Sequence, residues 1–236
     1  MKNQSIISAA LIAISIVVLG LCLKGGIDNY VNRNRMVEVK GLSEREVEAN
    51  LVTWPISVKE TGNNLQELYR IIDDKSKAVQ KFLIDNGIKK DEIYVNAPTS
   101  RDYVTEGSYN QNSIYRYNIS VSITVVSKNV KLVREIINKQ GELLSEGIAI
   151  NSGDGYYEQG ATYEYTDFKK MKAEMVAEAI ENAQVTAEQF ADNSKSKINK
   201  IVTADQGYFE ITDRDSNTPY IKNIRLVTHV TYSLKD

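Results

Sequence analysis

Asp213, Asp215 and Asn217 occupy alternate positions, the D-x-D-x-N opening of a calcium loop, in which successive oxygen donors wrap round a hard cation. The chain leaves that pattern at its other fixed positions. Thr218 stands where the tight turn wants glycine, and Ile224 stands where the loop wants its bidentate glutamate. The run reads as an acidic turn ahead of Pro219, and no metal site is assigned. His229, the single histidine, is the ordinary general base near neutral pH. A hydrolytic role for it needs a nucleophile and an orienting carboxylate alongside, and the spacing fixes neither. One imidazole and one thiol, Cys22, exclude paired-histidine sites, cysteine-rich zinc patterns and an internal disulfide framework. Gly153-Asp154-Gly155 lacks the third glycine of a dinucleotide loop and opens no helix, so it is turn material. No phosphate-cradling loop or nucleophile elbow occurs. No catalytic residue and no cofactor is assigned.

What remains is chemistry of the binding kind. In residues 114–126, IYRYNISVSITVV, Tyr115, Tyr117, Ile119, Val121, Ile123 and Val125 share one parity. Arg116, Asn118, Ser120, Ser122 and Thr124 share the other. Successive side chains of a strand point to opposite sides, so this is a long strand with one buried and one wetter face. The polar row is the candidate interface or ligand face. Trp54 joins it as a candidate anchor or ligand platform.

The elements that must position these residues can be read from periodicity. Residues 36–40 alternate and end at Gly41. Residues 44–59 form a longer extended run whose apolar parity switches midway, which predicts a bulge; Pro55 suits an edge or bulged position because it cannot donate a ladder hydrogen bond. Asn64, with Glu67 three residues on, predicts a capped helix over 65–86 that stops at Gly87. Residues 93–97 open a strand. The polar stretch 98–113 is the tip of a long hairpin, which 114–126 answers. Asn129 predicts the cap of a second helix over 130–145, within which Gly141 costs about 1 kcal/mol relative to alanine. Short strands at 148–150 and 161–165 precede an alanine-rich helix over 168–192. Strands at 201–205 and 221–234 complete the set, the latter with Ile224, Leu226, Val230 and Tyr232 on one face and His229 on the other. The order β-β-α-β-β-α-β-β-α-β-β predicts an α+β fold: largely antiparallel sheets, with three long helices packed on them in a repeated ββα rhythm.

Ahead of this domain, residues 5–23 form an uncharged apolar run about as long as a bilayer-spanning helix. Lys2 precedes it, no A-x-A-like exit comes after Val18, and Leu19-Gly20-Leu21 is a poor lead into a lipidated Cys22. The reading is an uncleaved signal-anchor over 1–24, a polar tether over 25–35 and a folded domain over 36–236. Lys24, Arg33 and Arg35 leave the positive-inside comparison even, but a run starting so near residue 1 favours export of the residues C-terminal to it. The expected place is the inner membrane, single-pass, with the domain in the periplasm. The alternative is a cleaved segment and a free periplasmic domain. A formal net charge of −2 excludes a basic field that would draw the whole chain to nucleic acid. Fourteen tyrosines against four phenylalanines suit half-buried strand surfaces and interfaces.

The succession VEVKGLSEREVEANLVTWPISV, a helix ending DNGIKKDEI, and IYRYNISVSITVV before NVKLVREIIN resembles the SIMPL-domain family of bacterial envelope proteins, which includes the outer-membrane protein 28 and periplasmic immunogenic protein group. Val37, Val39 and Gly41 match its V-x-V-x-G strand; Leu51, Thr53 and Val58 match the strand after it. Asp91-Glu92-Ile93 matches the segment after the first helix, 117–125 its long strand, and Ala179, Ala183 and Ala187 its alanine helix. The resemblance covers 36–234. It implies a periplasmic place, a link to envelope or oxidative stress and ring-like homo-oligomers, with no catalytic residue to carry over. The chain departs from many members in its anchor and in Trp54-Pro55.

Three functions compete: a membrane-tethered, non-enzymatic oligomeric scaffold; a small-molecule or peptide-binding module using residues 98–113 and Trp54, its ligand unknown; and a hydrolase using His229. The first is expected.

Overall fold

The computed structural model describes residues 2–33, 35–106, 115–151 and 160–235. Two stretches read from the sequence, the tip of the 98–113 hairpin and Gly153-Asp154-Gly155, lie wholly or largely outside these residues. The element order is α1 (Lys2–Arg33), β1 (Met36–Glu48), β2 (Leu51–Gly62), α2 (Leu65–Asp85), β3 (Ile93–Val95), β4 (Thr99–Asp102), β5 (Tyr117–Ser127), α3 (Val130–Asn138), α4 (Gly141–Ser145), β6 (Ile150–Asn151), β7 (Thr162–Glu164), α5 (Phe168–Asn193), β8 (Lys197–Asp205), β9 (Phe209–Asp213) and β10 (Ile221–Lys235). The mixed, antiparallel α+β class is as the periodicity predicts. The chain divides into two compact units, one of Met1–Arg45, Lys169–Ile211 and Ile224–Asp236, the other of Glu46–Phe168 and Thr212–Asn223.

In the second unit six strands form one sheet in the order β3-β5-β2-β6, with β4 also on β5 and β7 also on β2; every pairing is antiparallel. The long strand β5 is central, as its alternation predicts. Trp54, Ile56 and Val58 of β2 lie opposite Val125, Ile123 and Val121 of β5, and all six are at most 2% exposed. Leu68, Ile72, Val79 and Leu83 of α2, Val133 and Ile136 of α3, and Leu143 of α4 complete that core. Each such aliphatic chain contributes about 1.5–3 kcal/mol by leaving water.

Helix α2 forms where its residues say it should. Asn64 Oδ1 accepts from the N–H groups of Gln66 and Glu67 at 3.1 and 3.3 Å, satisfying donors that lack helical partners. At the other end Gly87 has φ +101°, while Gly87 N donates to Ile84 O and Ile88 N to Leu83 O. This is a Schellman stop, in which a left-handed residue lets the chain turn back on the last carbonyls. The same pair of bonds closes α4 at Gly147 and α5 at Lys195, the latter at φ 55° without being glycine.

In the first unit β10 lies between β1 and β8, and β9 also pairs with β10. Helix α5 buries Met175, Ala179, Ala183, Ala187 and Ala191, every fourth residue, and Ala183 and Ala187 pack with Val39, Val230 and Tyr232.

Several expected boundaries move. Gly41 does not end β1, which runs on to Glu48, and the parity switch expected as a bulge is the break at Ala49–Asn50 between strands of different sheets. Asn50 fixes that break: its N–H donates to Glu164 O, and its Oδ1 accepts from Thr166 N at 2.8 Å. Pro55 sits inside β2, but β7 pairs with Leu51, Val52 and Thr53 and β6 with Ser57 and Val58, so its missing N–H faces the gap between two short strands. The helix expected over 130–145 is two, so the long helices of the folded region are α2 and α5. The break shifts the helical phase, burying Leu143 and leaving Leu144 57% exposed. Strands β4 and β9 were not anticipated. Among the described residues no helix is both long and apolar enough to cross a membrane. The described side chains of α1 begin at Leu11; from there to Leu23 the apolar stretch reaches about 20 Å at the helical rise, and residues 5–10 of the expected span lie outside them.

Candidate functional site

The polar face of the six-stranded sheet gathers the residues singled out by alternation. Asn118, Ser120, Ser122 and Thr124 of β5 lie opposite Thr61, Lys59, Ser57 and Pro55 of β2. On the other edge Ser120 lies opposite Thr99 of β4, and Thr124 opposite Tyr94 of β3. The four β5 residues are half-buried between these rows. Thr99 Oγ1 and Ser120 Oγ are hydrogen-bonded at 3.0 Å. Hydroxyls both donate and accept, so the face can hydrogen-bond a surface or ligand laid on it.

Arg116 closes one end of this row and is held in place. Its Nε and Nη2 donate to Asp102 Oδ1 and Oδ2 at 3.0 and 2.7 Å, a bidentate fork. Its backbone N–H donates to Asn63 Oδ1, and its Cζ lies 4.9 Å from the Tyr117 ring. The guanidinium holds the Asp102 carboxyl below the usual carboxylate range, its hydrogen bonds outweighing the opposing effect of desolvation. Trp54 does not join this group. It is 1% exposed and belongs to the opposite, apolar face, across from Val125.

The acidic run uses its oxygens to build its own turn. Asp215 Oδ1 accepts from the N–H groups of Asn217 and Thr218, each at 2.8 Å, while Oδ2 accepts from Arg214 Nε and the Thr218 hydroxyl. These bonds, the Thr218 hydroxyl's first, hold the Asp215 carboxyl down to about 2. Asp213 pairs with Lys222, whose side chain is only 11% exposed. His229 lies half-buried on β10 with Asp205 of β8 as its cross-strand neighbour. Asp205 Oδ1, however, accepts from Gly207 N at 2.8 Å, so that carboxylate closes a turn.

A second concave site was not anticipated. Arg134, Ile137 and Asn138 of α3, Tyr163 of β7 and Ser216, Asn217, Pro219 and Tyr220 line a cavity of about 410 Å³. The Arg134 Cζ lies 3.2 Å from the centre of the Tyr220 ring, and Tyr163 meets that ring edge-on at 6.2 Å and 71°. Burial pushes the Tyr163 phenol up, against the opposing charge of Arg134. Arg134, Ile137 and Asn138 have the i, i+3, i+4 spacing of one helix face. Nothing in local sequence announces their meeting with Tyr220, which tertiary folding alone brings about.

A comparison of the chain with curated proteins gave no match. The model of the SIMPL family, described as a protein of unknown function (DUF541), matches residues 37–223, and the chain belongs to that family.

Proposed function

We propose that the chain is a membrane-tethered, extracytoplasmic SIMPL domain of the cell envelope that assembles with copies of itself and performs no catalysis. The observation that carries the reading is α1. Between Leu11 and Leu23 its large apolar side chains are 52% to 65% exposed on every side. A helix apolar all round has no polar face for water and suits a lipid environment. With residues 5–10 the run extends to about 28 Å at the helical rise, close to the hydrocarbon thickness of a bilayer. Support for assembly comes from the first unit. Strand β8 ends its sheet, with Ile201 and Val202 half exposed, and β9 exposes Ile211. An apolar strand edge of this kind is a surface that native proteins cover.

Three measurements test the reading. The full chain should resist alkaline carbonate extraction, and protease should reach its C-terminal region in spheroplasts; release by carbonate would sink the tether, and protection until lysis would sink the extracytoplasmic placement. In mild detergent, mass photometry should give particles larger than one chain, and Ile201→Lys should reduce them. A strictly monomeric species at micromolar concentration would remove the assembly.

A second reading, a small-molecule-binding module, is favoured by the cavity beside Arg134. The hydrolase reading would require the His229→Ala variant to lose a measurable activity.

A further inference from the structure

The cavity beside Arg134 is chemically one-sided. Its lining holds one cation, two side-chain amides, two phenols and a serine hydroxyl, and no carboxylate. The acidic residues nearest in sequence to its Ser216–Tyr220 wall are engaged elsewhere, Asp215 with Arg214 and Thr218 and Asp213 with Lys222. Among the described residues Arg134 forms no ion pair, and its contact is the face of Tyr220. Stacking on an aromatic ring fixes the plane of a guanidinium while leaving its N–H fork free to donate at the edge. A fork held this way has already lost the freedom that binding would otherwise cost, which favours a planar anion that can accept two parallel hydrogen bonds. The other walls are apolar or aromatic: Ile137, Pro219 and the two tyrosine rings. The volume is at the small end of ligand cavities.

We propose that this cavity binds a small organic carboxylate, with the carboxylate on the Arg134 fork between the amides of Asn138 and Asn217 and a flat or apolar body against Tyr163 and Ile137. This deepens the ligand-binding reading and is independent of the membrane tether.

The test uses the full chain in mild detergent and four probes of similar shape: benzoate, neutral benzamide, phenyl phosphate and cationic benzylamine, followed by ligand-observed NMR. Benzoate should bind saturably and at least about tenfold more tightly than benzamide, the ratio set by a charge-assisted hydrogen-bond pair. Arg134→Gln should lose that preference with its melting temperature kept, and Arg134→Lys should keep charge attraction but bind more weakly than wild type. Asn138→Ala, away from the stacked pair, should weaken benzoate on its own and guards against a folding defect in the arginine variants. Equal binding of benzamide, equal binding of benzoate by Arg134→Gln, or no saturable binding of benzoate would overturn the proposal. Phenyl phosphate about tenfold tighter than benzoate would overturn the carboxylate assignment. Saturable binding of benzylamine without benzoate would overturn the anion while leaving the ligand-binding reading standing.

Discussion

Gly41 and Ala179 meet backbone to backbone: a β-carbon on Gly41 would lie 1.7 Å from the Ala179 carbonyl oxygen and 2.9 Å from Ala183 Cβ. The V-x-V-x-G pattern of β1 thereby gains a physical cause. Val39 fills the layer between sheet and helix, and Gly41 is the notch in which α5 seats. Alanine at every fourth position of α5 is the complementary half of that fit, since larger residues there would hold the helix away from the strand.

That notch is open to a direct test. Gly41→Ala should destabilise by on the order of 3 kcal/mol, because backbone rather than a flexible side chain must move. Gly141→Ala, where an added β-carbon meets nothing within 4 Å, should stabilise α4 by about 0.5 kcal/mol through helix propensity. Urea denaturation of both variants checks the pair. Equal effects would remove the notch as the explanation.

Lys195 occupies the left-handed stop position that Gly87 and Gly147 fill at the ends of α2 and α4. A lysine there bears a cost that glycine does not. Lys195→Gly should therefore raise stability by about 1 kcal/mol, seen as a higher urea midpoint with unchanged slope.

Trp54 is the only tryptophan, so emission excited at the red edge, where the tyrosines do not absorb, reports its surroundings alone. Its position in the core predicts blue-shifted emission that iodide does not quench. Trp54→Ala should cost about 3–5 kcal/mol. A wet, quenchable Trp54 in the folded protein would contradict its place opposite Val125.

The fate of Trp54 illustrates which parts of this fold are legible in sequence. Alternation in residues 117–125 has the period of a strand and nothing competes with it, so β5 and its buried row are readable. Asn64 and Gly87 act within one turn of α2, so its cap and stop are readable as well. The break at Asn50 depends on Glu164 and Thr166, distant in the chain, and the local pattern shows only a change of parity. The division of the second helix into α3 and α4 is equally hidden, although the buried Leu143 records it. For the candidate site, the row from Asn118 to Thr124 was visible as one face. The stacking of Arg134 on Tyr220 was not, because each residue alone reads as ordinary surface.

Asp215 gives the pH prediction. Its carboxyl is held at about 2 against the usual 3.8, so the folded state favours the charged form. The stabilisation is complete above the unfolded value and is lost as pH falls through the folded one. Relative to Asp215→Asn, the wild type should be more stable at neutral pH, and that difference should shrink between about pH 4 and pH 2. Melting curves across this window check it, and a pH-independent difference would show that the carboxylate charge is not involved.

Neighbouring residues of β5 separate folding from assembly. Val121 is 2% exposed and faces the core, whereas Ser122 is half-buried on the hydroxyl-rich face opposite Ser57. Val121→Lys would bury a charge without a partner and should abolish folding. Ser122→Lys should stay within about 1 kcal/mol of wild type, because the long side chain can carry its ammonium out to water. The oligomeric state of that folded variant then decides between two contact surfaces. If the β8 edge holds the assembly, Ser122→Lys leaves particle mass unchanged while Ile201→Lys lowers it. If Ser122→Lys lowers it and Ile201→Lys does not, the copies meet across the polar face of the sheet, and the row from Asn118 to Thr124 is the interface that its alternation first suggested.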